Sequence, residues 1–180
     1  MKDAVERIRK EKRSELLLGM SNASTSISDL KDIYTIDKTI GEIVIGDNCC
    51  NENSIKELDI SWFPFLKAFK VGDKSCCCIT GLQLTNLALL EKVEIGTSSF
   101  ASQESCNRLN EQSKDGHFYL KKCARLRELK IGCWSFMDYS VCKIEDVPSL
   151  KVIEMGEWMG WSHNFKYASL ELKSDSRSMK

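Results

Sequence analysis

Cysteines offer this chain the most chemistry. Cys76-Cys77-Cys78 follows Cys49-Cys50 by about 26 residues, close enough to one internal repeat for the two runs to stack. Thiolates are soft zinc ligands, and exposed thiols are redox-active nucleophiles. Cys49 with Cys76–Cys78 would therefore serve a thiol-dependent function, either metal binding or redox sensing. The spacing speaks against zinc: there is no C-x2-C pair, and neither His117 nor His163 stands at a zinc-ligand interval from a cysteine. No metal or other cofactor is expected. The total of nine cysteines is odd, which suits free thiols in a reducing compartment better than a disulfide framework.

Other reactive constellations are missing. No G-x-G-x-x-G, P-loop or G-x-S-x-G motif occurs. His117 and His163 read as surface histidines, since nothing in their spacing brings a cysteine to them. No enzyme is expected. Trp134 and Trp158 differ: they hold equivalent repeat positions, with Trp161, Phe165 and Tyr167 nearby. Stacked tryptophans on a turn would make a contact hot spot. The reading set ahead of that one is that they cap the core where the repeat runs out.

What must position these residues is a recurring phrase: apolar, x, x, apolar, x, apolar, Gly. It occurs at Ile40–Gly46, Leu66–Gly72, Leu90–Gly96, Leu126–Gly132 and Leu150–Gly156, with glycines 26, 24, 36 and 24 residues apart. A period near 24 residues predicts a solenoid of stacked units. Between phrases lies a shorter one, at Leu58–Ile60, Leu82–Leu84, Phe118–Leu120, Cys142–Ile144 and Leu170–Leu172. Each repeat thus has two period-2 stretches joined by turns, which predicts two short strands. The Gly suits a tight turn or a positive φ. Four residues past it is a further core slot, read as Cys50, Cys76, Phe100, Phe136 and Gly160. Cys50, Cys76, Cys123 and Cys142 thereby become small hydrophobes.

Charge supports the register. The fifth phrase position reads Val44, Lys70, Glu94, Lys130, Glu154, and the second reads Gly41, Lys67, Glu91, Arg127, Lys151. The residue after the short phrase reads Ser61, Thr85, Lys121, Glu145, Lys173. Parallel in-register stacking turns these alternating signs into opposite-charge neighbours.

Leu126-x-x-Leu129-x-Ile131-x-x-x-x-Phe136 resembles the leucine-rich repeat family, with Phe in the last slot, and Ile95–Phe100 and Ile131–Phe136 are similar to its BspA-like branch. The resemblance spans residues 33–172. One departure concerns the asparagine of that family, replaced by a column of Asn48, Lys74, Ser98, Trp134 and Trp158, so an asparagine ladder is absent. The resemblance implies a mainly β solenoid of about five coils that binds or scaffolds proteins without catalysis. Its expected binding face carries Lys67, Lys70, Glu91, Glu94, Arg127, Lys130 and Glu154, flanked by Trp134 and Trp158.

Residues 1–29 read as a charged helix and a Ser/Thr-rich linker, residues 30–175 as the solenoid with a polar insertion near 106–117, and residues 176–180 as a tail. After Leu172 the next start position falls on Ser178, which is polar. The last coil is therefore expected to leave apolar surface open for pairing. Basic and acidic residues number 26 each, which gives no electrostatic reason for a nucleic-acid or anionic-membrane partner. Met1–Gly19 is charged, with Leu16–Leu18 as its one apolar run. It does not suit a signal peptide, which points to a cytoplasmic setting.

Overall fold

In a computed structural model, residues 23–101, 115–156 and 162–174 are described. The helix expected over residues 1–18, most of the insertion, Trp158, Gly160 and residues 176–180 lie outside them. In chain order the strands are β1 (Ser24–Ile27), β2 (Glu42–Ile45), β3 (Glu57–Asp59), β4 (Ala68–Val71), β5 (Gly81–Thr85), β6 (Lys92–Ile95), β7 (His117–Lys121), β8 (Glu128–Ile131), β9 (Val141–Glu145), β10 (Val152–Met155) and β11 (Ser169–Lys173). One 3₁₀ helix, η1 (Leu30–Tyr34), follows β1. Asp29 starts it, its carboxylate accepting from the Lys31 N–H.

The chain is mainly β. The first sheet runs β1-β2-β4-β6-β8-β10 and the second β11-β9-β7-β5-β3. Every pairing is parallel. From β2 on, the chain lays one strand in the first sheet, crosses to the second, and returns. The short strands follow from the two apolar phrases. In β2, β4, β6 and β8 the second and fourth residues are buried and the first and third half-buried. The inward side chains of both sheets join one cluster, from Ile27 to Ile144. Cys50, Cys76, Cys123 and Cys142 lie in it, and Cys133, on the turn after β8, is buried as well.

Three expectations change at the turns. First, the phrase glycines serve close approach rather than positive φ, which Gly156 alone among them adopts. A Cβ on Gly132 would lie 2.6 Å from the carbonyl carbon of Gly96 and from the amide of Thr97. The left-handed backbone falls instead two and four residues past the Gly, at Asn48, Lys74, Ser98 and Trp134 and at Cys50, Cys76, Phe100 and Phe136.

Second, a serine ladder that the sequence reading did not foresee runs along these turns. Oγ of Ser75, Ser99 and Ser135 donates to the carbonyls of Gly46, Gly72 and Gly96 at 2.7, 2.6 and 2.6 Å. Each hydroxyl also accepts a backbone N–H, from Cys49, Ser75 and Ser99 respectively. All three serines are fully buried, so each hydroxyl satisfies backbone groups that water cannot reach. Ser99→Ala takes an acceptor from the Ser75 N–H and a donor from the Gly72 carbonyl. Its expected cost is about 1–3 kcal/mol, read as a lower urea midpoint.

Third, the Phe column continues at Phe165, nine residues past Gly156, instead of at Gly160. Phe165 stacks on Phe136 at 4.9 Å and 3°, as Phe136 stacks on Phe100 at 4.8 Å and 7°. Its φ of 50° matches the column. The last repeat therefore carries five extra residues between its Gly and its Phe.

Both ends also differ from expectation. Residues 24–27, read as linker, form β1, whose Thr25 and Ile27 stand in register with Ile43 and Ile45. His117, assigned to the insertion, is the first residue of β7, beside Gly81.

Candidate protein-binding face

The outer side of the first sheet carries the expected charge column. Val44, Lys70, Glu94, Lys130 and Glu154 are consecutive register partners across β2, β4, β6, β8 and β10. Parallel strands repeat every ~4.8 Å, so these side chains form a continuous row. Lys67, Glu91 and Arg127 stand one residue ahead of their strands, where each backbone N–H donates to the preceding member: Lys67 to Gly41, Glu91 to Lys67 and Arg127 to Glu91. All seven charged residues expected in the face thus lie along one sheet.

A second row, which the sequence reading passed over, runs beside the first. Glu42, Ala68, Lys92, Glu128 and Val152 are register partners. The signal was present in the same period of two, since each residue lies two before the charge column. The rows interlock: Lys70 pairs with Glu42 at 2.7 Å, Lys92 with Glu94 at 2.8 Å and with Glu128 at 3.8 Å, and Lys130 with Glu154 at 3.3 Å. The Lys70 ammonium, hydrogen-bonded to Glu42, holds that carboxyl below the usual range, and the bond from Lys92 to Glu94 holds the Lys92 ammonium above its own. These side chains are about one-third to over one-half exposed. Such surface pairs are worth only about 0–1 kcal/mol each, so a partner's charges can re-pair them at little cost.

Trp134 is half-buried on the turn after β8, yet its described aromatic neighbour is His163, edge-on at 4.6 Å. His163 precedes Phe165 as Trp134 precedes Phe136, so the five extra residues of the last repeat put a histidine beside Trp134. Neither histidine is a free surface group. His117 has a side-chain exposure of 19%, with Nε2 3.1 Å from Glu57 Oε2 and Nδ1 3.0 Å from the Asp115 carbonyl oxygen. Glu57 reaches it across Gly81, where a Cβ would collide with the carboxylate.

Four of the thiols are shifted upward. The Cys50 thiol, hydrogen-bonded to Cys76, and burial hold the Cys76 thiol well above the usual range. Burial pushes Cys77 and Cys123 up to about 11 and Cys142 to about 12. Cys77 and Cys78 sulfurs are 3.9 Å apart, a hydrogen-bonding contact between two free thiols. Among the described residues no group of three His, Cys, Asp or Glu is placed to hold a metal ion. With its thiol pKa raised, Cys77 stays protonated at neutral pH and gains its nucleophilic form only as pH approaches about 11. Its alkylation at neutral pH, followed by peptide mass spectrometry, is expected to be about a hundredfold slower than that of free cysteine.

Near the N-terminal end, Tyr34 and Trp62 are 66% and 59% exposed and line a cleft of about 210 Å³ with Ile33, Ile36 and Phe63. Lys38 Nζ lies 5.1 Å from the centre of the Trp62 ring. Neither aromatic occupies a repeat slot, so periodicity gave no reason to single them out. No helix among the described residues is long and apolar enough to cross a membrane. Comparison with protein-family models, with curated proteins and with solved structures finds no match to this chain.

Proposed function

We propose that the chain is a short leucine-rich-repeat solenoid, akin to the BspA-like branch, that acts as a non-catalytic protein-binding scaffold through the outer side of its first sheet. The observation carrying this reading is the unbroken register Lys70, Glu94, Lys130, Glu154. Two interlocked rows of both signs offer a partner alternating charges at a fixed ~4.8 Å pitch. Such a surface suits a folded protein of complementary pattern better than a polyanion, which would meet Glu94 and Glu154 as readily as the lysines. The two-strand repeat, the buried phrase positions and the Phe column support the solenoid part. A reducing, cytoplasmic compartment fits eight described cysteines that are all free.

Proximity labelling or affinity recovery with the whole chain, set beside the triple variant Lys70→Ala/Glu94→Ala/Lys130→Ala, tests the reading. Proteins recovered by the wild type and lost with the folded variant are expected. Identical recovery by both would remove the first sheet from consideration.

A further inference from the structure

The two ends of the strand stack are finished differently. At the N-terminal end Ile27 of β1 and Leu30 and Ile33 of η1 are only 2%, 1% and 4% exposed. At the C-terminal end, Ile153, Met155, Leu170 and Leu172 stand in register with the buried Leu129, Ile131, Cys142 and Ile144. They are nonetheless 46%, 36%, 58% and 60% exposed. These are inward positions of the repeat with no further repeat over them among the described residues. β10 and β11 are also outermost in their sheets, each paired on one side. The end thus presents two strand edges with an apolar strip between them, the arrangement most prone to pair with another chain.

An occupant has to supply two strands at once, at the separation of the two sheets, with apolar side chains turned inward. A single extended peptide fills one edge and leaves the other bare. A second copy of this chain carries both. At its N-terminal end Ile27, Leu30 and Ile33 are already buried, so that end offers no matching apolar strip for a head-to-tail contact. The two open ends meet instead, in an isologous contact about a two-fold axis that closes after two chains.

We propose that the chain forms a two-fold dimer through its C-terminal end, with β11 antiparallel to β11 of the second copy and Leu172 on the axis. Charge selects that register. It sets Glu171 opposite Lys173 of the second copy, and Lys173 opposite Glu171. Placing Glu171 on the axis would oppose two carboxylates on the same side of the sheet. The new pairs extend a network already present, in which Glu171 meets Lys143 at 3.3 Å and Lys173 meets Glu145 at 3.9 Å. Ile153 and Met155 close the other half of the strip between the first sheets. This contact is independent of the proposed binding face, which runs along the stack rather than across its end.

Sedimentation velocity of the whole chain over a concentration series tests it. The wild type is expected to be a dimer that dissociates on dilution. Leu172→Glu is expected to be monomeric with an unchanged unfolding midpoint for the monomer, because the side chain is already exposed. Glu171→Lys should weaken the dimer by about tenfold, and Glu171→Lys/Lys173→Glu should restore it. A monomeric wild type at every concentration, a dimeric Leu172→Glu, or a double variant as weak as the single one would each overturn the proposal. The triple alanine variant of the first sheet should remain a dimer, so the two readings fail separately.

Discussion

Phe136→Ala is expected to cost about 3–5 kcal/mol of folding stability, which is a large part of what a domain of this size has to lose. Phe136 is fully buried and lies between Phe100 and Phe165, with Phe118 and Tyr139 against it at 5.1 and 5.0 Å. The stack ties three repeats together, including the last. Truncation leaves a void bounded by rings whose own backbones are fixed in the left-handed region, at φ 54° for Phe100 and 50° for Phe165. Those residues cannot slide inward without rebuilding two turns, so the cavity stays open. Urea denaturation of the two proteins measures the loss. A shift below about 1 kcal/mol would mean the site collapses freely and the column does not bind the repeats together.

Gly132→Ala and Gly46→Ala are expected to differ sharply, though both change the same phrase position. At Gly132 the new methyl meets Gly96 and Thr97 backbone at 2.6 Å, and backbone cannot rotate aside. Relief requires β6 and β8 to move apart, straining the Gly132 N–H to Ile95 carbonyl bond of 2.7 Å. The expected loss is about 2–3 kcal/mol. At Gly46 the nearest atom is Cys49 Sγ at 3.3 Å, a side chain able to give way. There the change should stay within about 0.5 kcal/mol, as surface substitutions do. Thermal unfolding of the pair reads the contrast, and equal midpoints would contradict the close-approach explanation.

The sequence carried the repeat because burial imposes a period of two inside each strand and a period near 24 residues between strands. Lys70, Glu94, Lys130 and Glu154 could therefore be placed in one row from spacing alone. The serine ladder was also in plain view, three residues past the glycines of Ser75, Ser99 and Ser135, but a serine in a turn reads as solvated until its depth is known. The last core slot was assigned to Gly160 rather than Phe165 because the last repeat is longer between its Gly and its Phe, which no count of the earlier repeats anticipates. The Glu57–His117 contact needed three dimensions. Those residues belong to strands on either side of β5, and they meet because Gly81 between them has no side chain. β1 was hidden by composition, since Ser24–Ser26 look like linker and Ile27 alone marks the core side.

The central claim is that the alternating rows of the first sheet are what a protein partner reads. Its most direct test is the affinity of a recovered partner for the wild type and for Lys70→Ala/Glu94→Ala/Lys130→Ala, measured by titration calorimetry at low and high salt. The account predicts a loss of at least about tenfold for the variant at low salt, shrinking as salt screens the wild-type contact, with both proteins folded at the temperature of the titration. Equal affinities at low salt, from a folded variant, would contradict it.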